Sequence, residues 1–341
     1  MRFLKNTLLA LATGYGLFFY SERLFWSAFK PGDRVGDLVI TWLAYSVLGY
    51  LLLSVVYAFR VGSAAAAFLA GAFYGWLTEG TLVGTLYGTE ASAPFPLSLL
   101  VTGVSWHALI SVWVGWYFLP RALRRPTPGR ALAWAAGVGL FWGVWATFLW
   151  KETPPVVVPV KAFAAHALAA GGLLIASYWV IGRAGRIGAG GSARAAAPFR
   201  PRPFGLAVSV LLIGTFYVQQ VKALGVRPLV VLPGVLAVAL LALWRLRRGA
   251  HSDGAEDDTV AAPPSAPQPP RPINLLYLLA MPALATTTYA LAMRAGWWPR
   301  VPVAVGIMYG VTAPAGAVVL AWALFRAAWT GSAKRLPKTP A

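Results

Sequence analysis

Apolar residues in this chain fall into long unbroken runs, neither the period-two alternation of a half-buried strand nor the one-sided stripe of a surface helix. Runs of about 20 residues recur from end to end, the length a helix rising 1.5 Å per residue needs to cross about 30 Å of hydrocarbon. They predict ten helices, at 4–20, 35–59, 63–87, 97–119, 131–150, 156–181, 204–221, 229–244, 273–293 and 301–325. The eighth is the weakest signal, because Pro233 interrupts a short run. At the N-terminus, Arg2 and Lys5 precede an apolar stretch in the layout of a secretory signal. Ser21, Glu22 and Arg23 follow it instead of a small-residue cleavage site, so a retained first span is predicted.

Composition removes the soluble alternative. Of 341 residues 58% are hydrophobic and only 11% charged, against about 25% charged in an ordinary soluble domain. Too little polar surface is left to cover a globule, and no loop is long enough for a soluble catalytic domain of its own. The predicted fold class is therefore all-α, a polytopic transmembrane bundle of about ten spans with the lipid bilayer as its solvent. Cysteine is absent, which excludes disulfides, thiolate nucleophiles and thiolate-held metals.

Charge then assigns sides. The formal net charge of +19 is spread over short clusters between apolar runs, so it argues for topology and against a nucleic-acid partner. Of the 29 Lys and Arg residues, 20 lie in the N-terminus, every second loop and the C-terminal tail, and 9 lie in the alternate loops. Because cytoplasmic loops hold the excess, this predicts a multi-pass protein of the cytoplasmic membrane with both termini in the cytoplasm. Trp26, Trp150 and the pair Trp297 and Trp298 sit near predicted helix ends, as interfacial aromatics do.

One stretch departs from the pattern. Between Gly249 and Pro272 the chain carries Asp253, Glu256, Asp257 and Asp258, followed by Ala-Pro repeats, a composition that cannot bury a core. It divides an eight-helix body, 1–248, from a two-helix tail, 273–328; residues 249–272 form the predicted disordered linker and 329–341 a basic cytoplasmic end. A loose internal match also links helices three and four to helices five and six. Phe73-Tyr74-Gly75-Trp76 parallels Phe141-Trp142-Gly143-Val144, and His107-Ala108-Leu109 parallels His166-Ala167-Leu168, the pattern of a parallel repeat.

Ionisable groups at membrane depth are expensive and mark function by default. Glu79, His107 and His166 fall roughly 12 to 15 Å below the outer ends of their helices. Each shares a helix face with small residues: Gly71, Gly75 and Glu79; Gly103, His107, Ser111 and Gly115; Ala162, His166 and Ala170. Such rows let helices approach closely, and they are the faces through which homo- or hetero-oligomers would also form. These three side chains are expected to turn into the bundle, with Glu152 in the outer loop as a fourth member. Two imidazoles and a carboxylate suit a proton relay, since histidine changes charge near neutral pH. They equally suit a divalent metal such as zinc, held by His107, His166 and Glu79 with an open position for water.

The leading expectation is a non-enzymatic protein that binds or moves a small solute or ion through a polar intramembrane pocket. The alternatives are a metal-dependent intramembrane hydrolase and a non-catalytic membrane subunit or assembly factor. Gln219 and Gln220 read as the end of helix seven, and Gly80, Gly84 and Gly88 as a packing row. No rhomboid-type Gly-x-Ser-Gly, no paired glutamates of the CAAX-protease kind, no Walker A and no HExxH sequence occurs.

Overall fold

The structure, a computed structural model, describes residues 2–26, 33–90, 93–125, 128–184, 199–249, 272–297 and 300–329. All of its regular structure among these residues is helical. The expected linker, apart from its two end residues, and the basic end from residue 330 onward lie outside the described residues.

A helix occurs at each of the ten expected places. They are α1 (Arg2–Phe18), α2 (Val35–Phe59), α3 (Ala64–Thr78), α4 (Ser98–Arg124), α5 (Pro128–Trp145), α6 (Val160–Ala184), α7 (Pro203–Leu224), α8 (Arg227–Gly249), α9 (Asn274–Arg294) and α10 (Val301–Trp329). Among the described residues eight are long and apolar enough to cross a membrane: α2 and every helix from α4 to α10. The chain is thus built as a multi-pass integral membrane protein. The shortfall at α1 and α3 has a residue-level cause. Lys5, Asn6 and Glu22 dilute the first run, and in the third Tyr74, Thr78 and Glu79 do the same among alanines and glycines. Pro233 stays inside α8, a position that spanning helices tolerate.

Contacts divide the chain into two units that interleave in sequence. The first comprises residues 1–50, 114–201 and 266–312. Here α1 lies against α6, with the Tyr15 hydroxyl donating to Ala170 O at 3.0 Å, and Gly14 lets α2 come so close that an added Cβ would sit 2.3 Å from Ser46 Oγ. α5 packs just as closely on α9: a Cβ on Gly143 would lie 2.5 Å from Ala285 O. The Tyr289 hydroxyl, on α9, accepts from Trp150 Nε1 at 3.0 Å and donates to Val158 O at 2.9 Å. The first helix of the two-helix tail is therefore an integral part of this unit.

The second unit comprises residues 51–113, 202–265 and 313–341. Ser63 caps α3, its Oγ accepting from Ala66 N at 3.2 Å. Trp113 Nε1 donates to Ala64 O at 3.0 Å and Trp76 Nε1 to Leu99 O at 2.8 Å, which fastens α4 along the length of α3. Outward-facing side chains here are large and apolar, among them Leu211, Val230, Val318 and Phe325, each more than 60% exposed. Such a surface suits lipid chains and not water.

Candidate functional site

The site grows out of how α3 ends. Expected to run to Tyr87, the α-helix stops at Thr78 and gives way to a π turn over Glu79–Val83. Gly84 N donates to Glu79 O at 2.8 Å, the five-residue step that widens the backbone. Gly84 and Gly88 then take positive φ, 87° and 73°, which glycine adopts without a Cβ penalty. The Gly80, Gly84 and Gly88 row is thus not a packing stripe but, at its last two positions, a pair of turn residues. π turns recur at functional positions because they re-aim one side chain. Here that side chain is Glu79.

α4 faces it with a backbone widened in the same way. From Gly103 to Phe118 its turns are π-like, and Thr102 O accepts from both Trp106 N at 3.1 Å and His107 N at 3.0 Å. The two helices meet at glycine. A Cβ on Gly75 would lie 2.0 Å from Gly103 O and 2.9 Å from His107 Cβ, and one on Gly71 would lie 3.0 Å from Ala108 Cα. This approach lets the side chains of Glu79 and His107 reach one another. His107 Nε2 and Glu79 Oε1 share a hydrogen bond of 2.6 Å with each side chain only 4% exposed. The second carboxylate oxygen, Oε2, accepts from the Thr85 hydroxyl. Tyr74 packs edge-on against the imidazole, centroids 5.6 Å apart.

Thr85, which the sequence did not single out, and Gln220, which it read as the end of helix seven, complete this environment. Thr85 follows the turn and returns its hydroxyl to the carboxylate. Gln220 does not merely close α7; its Nε2 donates to Thr81 O at 3.2 Å and its amide lies against Gly84. The Tyr87 hydroxyl donates to Gly80 O at 2.6 Å, and Arg227 Nη1 donates to Tyr87 O at 2.8 Å. The turn carrying Glu79 is therefore held from α7, from α8 and from within.

The other two expected members sit in the first unit. His166 is buried on α6, edge-on to Trp142 at 6.3 Å, and Arg23 is near enough to act on it electrostatically. Glu152 is exposed just after the short 3-10 turn Ala146–Lys151, its N–H donating to Leu149 O at 3.3 Å. Glu79 and His107 meet; His166 and Glu152 have surroundings of their own. Among the described residues no group of three or more His, Asp or Glu side chains is placed to hold a metal ion. The repeat-like match also resolves into different partners, since Gly75 packs on α4 and Gly143 on α9.

A buried carboxylate against an imidazole at this distance can hold one proton between them. In either form, ionic or neutral, the hydrogen bond persists, and low polarity strengthens it. No protein family, curated protein or solved structure matches the chain.

Proposed function

We propose that this chain is a ten-span membrane protein, both termini in the cytoplasm, that binds or moves a small solute or ion in the cytoplasmic membrane. The Glu79–His107 couple takes up and releases the coupling proton. The observation that carries this reading is the 2.6 Å contact between Nε2 and Oε1 with both side chains buried. Ionisable pairs at membrane depth mark ion and proton paths, and a pair that can exchange one proton without losing its hydrogen bond suits that task. Thr85 orients the carboxylate, and Gly75 sets its distance to the imidazole. A scaffold role would need only the glycine contacts and gives no reason to bury an acid beside a histidine.

Proteoliposomes enclosing a pH-sensitive dye test this under an imposed inside-negative potential. Wild-type protein is expected to acidify the lumen, Glu79→Gln to abolish the signal, and the exposed control Glu152→Gln to leave it intact. Equal flux from wild type and Glu79→Gln, or none beyond that of empty liposomes from wild type, removes the proposal.

A further inference from the structure

In the first unit, the C-terminal end of α4 carries positive charge that no ion pair neutralises among the described residues. Arg121, Arg124 and Arg125 close this helix, and Arg130 opens α5. Arg121 stacks on Tyr117, 3.5 Å from the ring centroid, and its Nη1 donates to Tyr117 O at 3.2 Å. Arg124 is half-buried, and its Nε is enclosed with no hydrogen-bond partner among the described residues. Arg121 is close enough to act on it electrostatically. The carbonyls of Leu123 and Arg125 are taken by Asn274 Nδ2, at 2.8 and 2.9 Å. The helix end thus offers Arg124 less of the negative dipole that usually attracts a cation there.

The carboxylates of this unit among the described residues, Glu22, Asp33, Asp37 and Glu152, stand at its opposite end, the first three around one cavity beside Phe18 and Trp26. Phe19 packs on Trp142, centroids 5.3 Å apart, and further along Trp145 Nε1 donates to Phe25 O at 2.7 Å, so the chain leaving α1 and the end of α5 run in the same sense and finish together. Glu22 follows α1 and Glu152 follows α5, while Arg124 and Arg130 flank the start of α5. Eighteen residues of α5 separate the two ends by about 27 Å, near the thickness of the hydrocarbon core. In sequence, no Asp or Glu lies between Glu90 and Glu152, or between Glu152 and Asp253.

A half-buried guanidinium is costly without an anion to share its hydrogens. The aromatics in the last turns of α4, Tyr117 beneath Arg121 and Phe118 stacked on Trp134 at 5.7 Å, are of the kind that gathers at headgroup level. We propose that the end of α4 is a binding site for the phosphate of an anionic phospholipid, with Arg124 as its principal donor and Arg121 reinforcing the field. Guanidinium suits phosphate because its planar fork makes paired charge-assisted hydrogen bonds. The site lies in the leaflet that the charge distribution assigns to the cytoplasm.

Native mass spectrometry of the full chain, titrated with phosphatidylglycerol and with phosphatidylcholine of matched acyl chains, measures this directly. Tighter binding of phosphatidylglycerol is expected in the wild type. Arg124→Gln should lower that preference about fivefold, equivalent to about 1 kcal/mol at room temperature, the usual contribution of one basic residue at an anionic surface. Arg124→Lys, which keeps the charge and so guards against misfolding, should fall between the two because it loses the paired geometry. Unchanged preference in both variants overturns the site. Equal competition by inorganic phosphate overturns the lipid as its source. The variant with Asp253, Glu256, Asp257 and Asp258 changed to amides is expected to bind lipid as the wild type does. A marked gain there would make the chain's own acidic segment the occupant and would also overturn the proposal.

Discussion

Replacing Gly75 by alanine adds one methyl at the closest approach of α3 and α4. That Cβ would stand 2.0 Å from Gly103 O, whereas ordinary van der Waals contact begins near 3.4 Å. The obstacle is backbone, so no rotamer change relieves it, and the helices must separate by more than about 1 Å. Overpacking of this kind costs about 1–3 kcal/mol, and a backbone obstacle places it at the upper end. Alanine recovers up to about 1 kcal/mol of helix propensity, which leaves a net loss of about 2 kcal/mol. The same separation stretches the 2.6 Å contact between His107 and Glu79 beyond hydrogen-bonding range. Gly137 provides the control, being a helix-interior glycine whose added Cβ meets nothing within 4 Å. Gly137→Ala should be neutral or stabilising. Reversible unfolding in bicelles, followed by steric trapping, reads both differences, and the imidazole nitrogen shift of His107 reads the pair. The reasoning is refuted if Gly75→Ala unfolds no more easily than Gly137→Ala, or if His107 keeps its wild-type shift in Gly75→Ala.

Two further substitutions probe single hydrogen bonds. Thr85→Val removes the hydroxyl that donates to Glu79 Oε2 and should cost about 1–3 kcal/mol, the penalty for a buried acceptor left without its donor. Thr85→Ser should restore most of this, and equal unfolding of the Val and Ser variants would show that the hydroxyl is idle. Tyr289→Phe deprives Trp150 Nε1 and Val158 O of their common partner. A loss of about 1–2 kcal/mol is expected, measured by the same unfolding assay, and a wild-type midpoint would contradict the role given to this tyrosine.

How much of this could be read from residues alone follows from the kind of signal each feature leaves. The helices were legible because lipid imposes long apolar runs, and all ten places are helical to within a few residues at most ends. The approach of Glu79 to His107 was legible in part, because glycines four apart mark a face on which another helix can press closely. The end of α3 was not. Gly80, Gly84 and Gly88 look like a helical row, and only the three-dimensional setting turns two of them into left-handed turn residues. Thr85 was missed, and Gln220 read only as a helix end, for a related reason: their partners are the Glu79 carboxylate and the Thr81 carbonyl, on a turn the periodicity did not announce. Equal depth grouped His166 with Glu79 and His107. Depth is one coordinate, however, and the helix faces assigned to His166 put Trp142 beside it. The arginines at the end of α4 were read as a record of topology. Their lack of local carboxylates became informative once α1 and α5 were seen to run in the same sense.

The claim on which the account turns is that the Glu79 carboxyl and the His107 imidazole hold one proton between them. Solid-state NMR on protein carrying nitrogen-15 histidine and carbon-13 glutamate in native-like lipid measures it most directly. The account predicts a His107 Nε2 resonance displaced by a short hydrogen bond, and loss of that displacement in Glu79→Gln. A His107 resonance identical in wild type and Glu79→Gln would contradict it.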